Sequence, residues 1–207
     1  MSPVYSAISD RPDPAPLDRP SGSIPAATLQ DARTGGLAIG ALFFALFGAL
    51  WLLNADHLAH QQGWIAIALV LVVTLLLCLS AWRVLRARRS AMRALRDTPQ
   101  AQRMRRHFRA INGLQWIVVS AVVLLLHRFN LEAWIAPAIM FIVGLHFLPL
   151  ARVFRYRTHV LTGAVLIVTA LVYPIASAGG PASPLGSLIA GVTLWLAGLW
   201  SLRPVPG

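Results

Sequence analysis

The chain has 207 residues, of which 57% are hydrophobic and 12% charged, with a mean hydropathy of +0.66. Soluble domains carry roughly 25% charged residues, so this composition excludes an ordinary water-soluble domain and points to a chain dissolved in lipid. All 18 cationic side chains are arginine against seven acids, for a net charge of +11. The arginines flank apolar runs instead of forming a basic face, which argues for anionic lipid and against nucleic acid as the partner.

Residues 1–34 hold six of the 14 prolines and show no apolar periodicity. Such a segment buries too little surface to offset its ordering entropy, and the expectation is a disordered, Pro-rich cytoplasmic tail. It lacks the basic start, apolar centre and small-residue cleavage site of a secretory signal, so the first apolar run is expected to stay as a helix.

Six apolar runs follow, near 35–53, 63–82, 111–126, 133–150, 158–173 and 185–202. Crossing about 30 Å of hydrocarbon at 1.5 Å per residue takes about 20 residues, which these runs approach. Backbone groups in lipid must bond within their own segment, so each run is expected to be helical. Continuous runs of this kind do not show the short alternating strands of a barrel. The fold class is therefore all-α: a polytopic bundle of six transmembrane helices over 35–203.

Arginine placement orients the bundle. The connection 83–110 carries ten arginines: Arg83, Arg86, Arg88, Arg89, Arg93, Arg96, Arg103, Arg105, Arg106 and Arg109. Arg152, Arg155 and Arg157 follow the fourth run and Arg203 the sixth, whereas the odd-numbered connections hold Arg128 alone. The positive-inside rule then puts both termini and the even connections in the cytoplasm of a bacterial inner membrane. Trp51, Trp64, Trp134 and Tyr173 fall at outer ends, and Trp82, Tyr156 and Trp200 at inner ends, as interfacial aromatics should. Within 83–110, Leu85, Met92 and Leu95 share one side of an amphipathic pattern that contacts the anionic leaflet through the ten arginines. Thr98 and Pro99 then read as the N-cap and first residue of a new helix leading into the third run.

An internal repeat is visible between 63–88 and 133–157. Trp64-Ile65-Ala66 matches Trp134-Ile135-Ala136, and RVLRAR from Arg83 matches RVFRYR from Arg152. His57 and His127 each precede their tryptophan by seven residues. A duplicated two-helix hairpin accounts for this spacing, and chance recurrence of Trp-outside, Arg-inside spans is the alternative. The hairpin architecture resembles that of small six-helix bacterial integral membrane proteins such as the acid-resistance membrane protein family. The stretch Gly144 to Ala151, GLHFLPLA, resembles stretches in uncharacterised multi-pass bacterial families, and this resemblance brings no active site with it.

Few side chains can carry chemistry. His146 lies inside the fourth run, and an ionisable group there is a candidate functional site. Pro149 removes the hydrogen bond to Leu145 and frees a carbonyl beside it. His159, at the start of the fifth run, is expected to return to a similar depth, with Thr158 and Thr162 as hydroxyl partners. A proton-responsive pair is one reading, and a neutral histidine bonded to a neighbouring helix is the other. On the opposite side, His57, His60 and His127 are weak metal candidates beside Asp56 and Glu132, against a reading of plain loop polarity. Small residues, Gly36, Gly40 and Gly48 in the first run and Gly186, Ala190, Gly191, Ala197 and Gly198 in the sixth, suit close helix packing or a homo-oligomer. The lone Cys78 permits no intramolecular disulfide, and no cofactor motif, HExxH, phosphate loop or nucleophile–base pairing is present. A non-enzymatic structural, accessory or stress-related membrane protein is expected. A small transporter or channel for a neutral or apolar solute is the alternative, and an intramembrane lipid enzyme with His146 as base is a third.

Overall fold

The computed structural model describes residues 25–59, 63–154 and 156–203, and among these it is all-helical, with no strand. Seven α-helices follow in chain order: α1 (Ala26–Leu58), α2 (Trp64–Ala87), α3 (Arg89–Leu95), α4 (Pro99–Arg128), α5 (Ile135–Phe154), α6 (Arg157–Ala176) and α7 (Pro184–Ser201). Six of them, all but the short α3, are long and apolar enough to cross a membrane. Short 3-10 turns at Glu132–Trp134 and Gly180–Ala182 precede α5 and α7.

Several helices outrun their apolar stretches, α1 and α4 most, while α7 matches its own. α2 continues through the first arginines to Ala87, and α6 continues through Pro174 to Ala176 instead of stopping there. The Thr98 hydroxyl accepts from the Ala101 N–H at 3.3 Å and Pro99 takes the first position, so α4 begins where the cap chemistry placed it. The expectation of disorder fails for 26–34, which form the first turns of α1; residues 1–24 lie outside the described set. Composition missed the reason, which is tertiary. Asp31 pairs with Arg88 at 2.7 Å, and Met92 of α3 packs directly against Gly35.

Four helices, α1, α5, α6 and α7, make the core. Phe44, Met140, Phe147, Leu150, Leu166, Ala170, Tyr173, Ala190, Leu194 and Ala197 meet there. α2 flanks α1 and α4 flanks α5, with no substantial contact between those two outer helices. Val119 is the only residue of α4 that is buried, while Ile117 is 69% exposed and Trp64 at the head of α2 is 77% exposed. For helices of this composition the exposed surface is what faces lipid.

Two glycine pairs set the closest approaches. A Cβ on Gly163 would stand 2.7 Å from the Gly144 carbonyl oxygen, and one on Gly144 would stand 2.9 Å from that of Gly163. Gly48 and Gly191 face one another in the same way across α1 and α7. Polar bonds run along this second seam: Asn54 Nδ2 donates to Ser187 Oγ at 2.8 Å, and Trp195 Nε1 donates to the Ala45 carbonyl at 3.1 Å. Of the three glycines Gly36, Gly40 and Gly48, only Gly48 serves this purpose. Gly36 and Gly40 face open space. Tyr173 leaves the interfacial belt as well: it is 3% exposed, its ring lies on Gly186, and its hydroxyl donates to the Pro181 carbonyl at 3.2 Å.

The two copies of the repeat occupy different surroundings. In the first, α1 is in the core and α2 outside; in the second, α4 is outside and α5 in the core.

The glycine seams yield a sign contrast. Gly144→Ala and Gly163→Ala should each destabilise the bundle by about 1–3 kcal/mol, because the atom in the way is backbone and the helices must part. Gly36→Ala and Gly40→Ala should be neutral or stabilise by about 0.5–1 kcal/mol by lowering the entropy lost on folding. Denaturant unfolding of detergent-solubilised protein, followed by circular dichroism, measures both.

Candidate functional site

The fourth and fifth runs bring their histidines to one aromatic side chain. Phe147 of α5 lies 6.1 Å from the His146 ring and 5.8 Å from the His159 ring, centroid to centroid. This follows from the Gly144–Gly163 crossing, which puts the residues after Gly144 level with those before Gly163 in the antiparallel pair. His159 is 8% exposed and boxed by Phe44, Phe147, Phe154 and Tyr156, at ring distances of 5.2–6.2 Å. Three separate stretches of chain supply that box, which is why the residues beside His159 in sequence did not reveal it.

No hydrogen bond joins the two histidines among the described residues, and His159 Nδ1 is buried without a partner. The expected hydroxyl does not serve it. Thr162 Oγ1 donates to the Thr158 carbonyl at 3.0 Å, one turn back along its own helix. Pro149 lies inside α5 on an exposed face, and the helix continues past it to Phe154. His146 is half-buried, and among the described residues no acid or nucleophile is hydrogen-bonded to it. His159 is packed among aromatic rings, and its bare nitrogen carries a desolvation cost of about 1–3 kcal/mol.

On the opposite end of the bundle, His127 Nδ1 pairs with Glu132 Oε1 at 3.0 Å within one exposed connection. His57 is not drawn into that pair, and His60 lies outside the described residues. No group of three metal-ligating side chains forms among the described residues.

The arginine-rich connection is the more organised site. It does not simply lie flat on a surface, because α3 is docked on the first turns of α1 through Arg88–Asp31 and Met92–Gly35. Arg105 reaches back across the bend at Asp97 and donates through Nη2 to the Arg96 carbonyl at 2.6 Å. This satisfies one of the last carbonyls of α3 and places a cation at its negative end. Two open clefts adjoin that contact. One, of about 520 Å³, is lined by Arg96, Asp97, Arg105, Phe108 and Arg109. The other, of about 330 Å³, is lined by Leu85, Arg89, Met92, Arg93, Arg96 and Arg105. None of the five lining arginines has a carboxylate within ion-pair distance among the described residues. Arg83, Arg86, Arg103 and Arg106 belong to the same connection and line neither cleft, while Arg88 is taken by Asp31.

Sequence reasoning found these arginines and missed how they converge, because neither Asp31 nor the Arg105–Arg96 contact is marked by spacing. Trp195 did carry a signal. A tryptophan in mid-span, away from either interface, needs an acceptor for its N–H, and Ala45 supplies it.

If His159 is a packing element, His159→Phe should hold or raise the unfolding midpoint in detergent, since it removes an unpaired buried nitrogen. His159→Ala should lower stability by about 2–5 kcal/mol through the cavity it leaves. A loss on His159→Phe as large as that on His159→Ala would mean that the nitrogen has a bonded partner. No family model, curated protein or solved structure matches the chain.

Proposed function

We propose that this chain is a non-enzymatic, multi-pass protein of the bacterial inner membrane, with both termini in the cytoplasm, that holds anionic phospholipid against its cytoplasmic end. One observation carries this reading: five arginines from α3, its C-terminal bend and α4 line two adjoining clefts, and among the described residues none of them is ion-paired to a carboxylate. Arg105 bonds the Arg96 carbonyl and Arg89 lies over the Trp82 ring, but neither contact neutralises charge. Guanidinium groups without a carboxylate at a membrane surface attract phosphate oxygens, at about 1 kcal/mol for each arginine near an anionic leaflet.

The clefts open beside α2 and α4, whose exposed apolar faces are the surfaces lipid tails would cover. The core supports an accessory role over a solute path, because Met140, Leu166, Leu194 and Ser187 are fully buried within the bundle. The arginine end is assigned to the cytoplasm by the positive-inside bias, with Arg128 alone at the other end.

Two measurements test this. In a Cys78→Ala background, a membrane-impermeant maleimide added to intact cells should label Asn130→Cys and leave Ser90→Cys unlabelled; the reverse pattern inverts the orientation. In nanodiscs, adding anionic lipid to a zwitterionic bilayer should raise the thermal midpoint, and raised salt should weaken the effect. Replacing Arg93 and Arg96 by Gln should cost about 2 kcal/mol of lipid binding, roughly thirtyfold in affinity. No response to anionic lipid would end the reading.

A further inference from the structure

From the pairing of the two clefts we infer that they form a bipartite site for a phospholipid with two phosphodiesters joined by a short glycerol bridge. The inference rests on the anionic-lipid reading above and adds the lipid's chemistry to it.

The argument begins from shared walls. Arg96 and Arg105 line both clefts, and the bond from Arg105 Nη2 to the Arg96 backbone carbonyl holds the Arg105 guanidinium beside the point from which the Arg96 side chain leaves. A guanidinium has five N–H donors in a rigid fork, so spending one or two on a carbonyl leaves others for phosphate. Two phosphate subsites therefore adjoin across a common pair of cations. The smaller cleft offers Arg89 and Arg93 in addition and holds no acid. The larger adds Arg109 and one carboxylate, Asp97. An acceptor at this position opposes a second full anion and suits a hydroxyl donor, such as the free hydroxyl of a bridging glycerol.

The apolar side chains fit the same occupant. Leu85 and Met92 line the smaller cleft and Phe108 the larger. Free phosphate or a soluble polyanion gains nothing from them, whereas the glycerol backbones and first methylenes of a lipid bury against them. Beyond them run the exposed faces of α2 and α4, including Leu79, Trp82 and Leu114, which offer a path for acyl chains from either subsite. A lipid with a single phosphate fills one cleft and leaves the other to water.

The test is lipid retention by the purified, detergent-solubilised full chain, counted by native mass spectrometry. The probes are diphosphatidylglycerol and phosphatidylglycerol at equal total phosphate, with pyrophosphate and the deacylated diphosphatidylglycerol headgroup as soluble controls. Diphosphatidylglycerol should bind at least tenfold more tightly per phosphate than phosphatidylglycerol, and the soluble anions should bind weakly. The Arg96→Gln/Arg105→Gln double variant should abolish that preference, and Arg103→Gln/Arg106→Gln should keep it. Because Arg105 also bonds α3, Arg93→Gln/Arg109→Gln gives an independent check that leaves that bond intact and should cut the preference by at least fivefold. Equal affinity of the two lipids per phosphate overturns the bipartite site while leaving general anionic-lipid binding in place. The site is equally overturned if Arg103→Gln/Arg106→Gln removes the preference, or if pyrophosphate or the headgroup competes as well as the whole lipid. Failure of both lipids to bind removes the underlying reading as well.

Discussion

Everything in this bundle hangs on two places where backbone meets backbone: Gly48 against Gly191, and Gly144 against Gly163. In lipid there is no hydrophobic gain from bringing two apolar helices together, so association depends on contact area and on bonds between helices. The missing Cβ atoms let α1 approach α7 and α5 approach α6 closely enough for side chains further along to meet. Asn54 then reaches Ser187, Trp195 reaches Ala45, and Phe44 reaches the rings of Phe147 and His159. The aromatic box around His159 is a downstream product of those crossings, and so is the level at which α6 begins.

The arginine-rich connection depends on the same frame by a longer route. With α1 anchored on α7, its first turns form a fixed post, and α3 docks on it through Arg88–Asp31 and Met92–Gly35. Arg105 then ties the start of α4 to the end of α3. A stretch that in isolation is a flexible polycation thus becomes a shaped surface whose cations point into shared clefts. Exposed ion pairs contribute little to stability singly, and here their main effect is geometric.

How much of this was legible depended on whether the physics was local. Hydropathy marked the six spans because each helix answers lipid along its own length, and Thr98-Pro99 marked the start of α4 because a cap is a contact within four residues. Helix ends ran past expectation wherever the extension was tertiary, as at Ala26, or where a proline inside lipid was tolerated, as at Pro174. Glycine content announced close packing without saying which glycines pack. Gly36 and Gly48 look alike in sequence, and only the partner helix separates them. The histidines were visible as oddities, but their surroundings come from α1 and the α5–α6 junction and could not be read from their own neighbours.

Helix length adds one more consequence. At 1.5 Å per residue, the 18 residues of α7 reach about 27 Å, while the apolar part of α2, residues 64–82 ahead of Arg83, reaches about 28 Å and its arginine-bearing end runs on past it. Because α7 is bound along α1, it cannot trade tilt for reach independently of its neighbour, whereas α2 at the margin is freer to lean. The protein therefore presents a bilayer of about 30 Å with apolar walls slightly shorter than the hydrocarbon at both places, and only α2 is extended by a charged end that stands in the headgroups. Lipid beside α7, which cannot change its tilt alone, must compress slightly, so the molecule should settle where the film is thin.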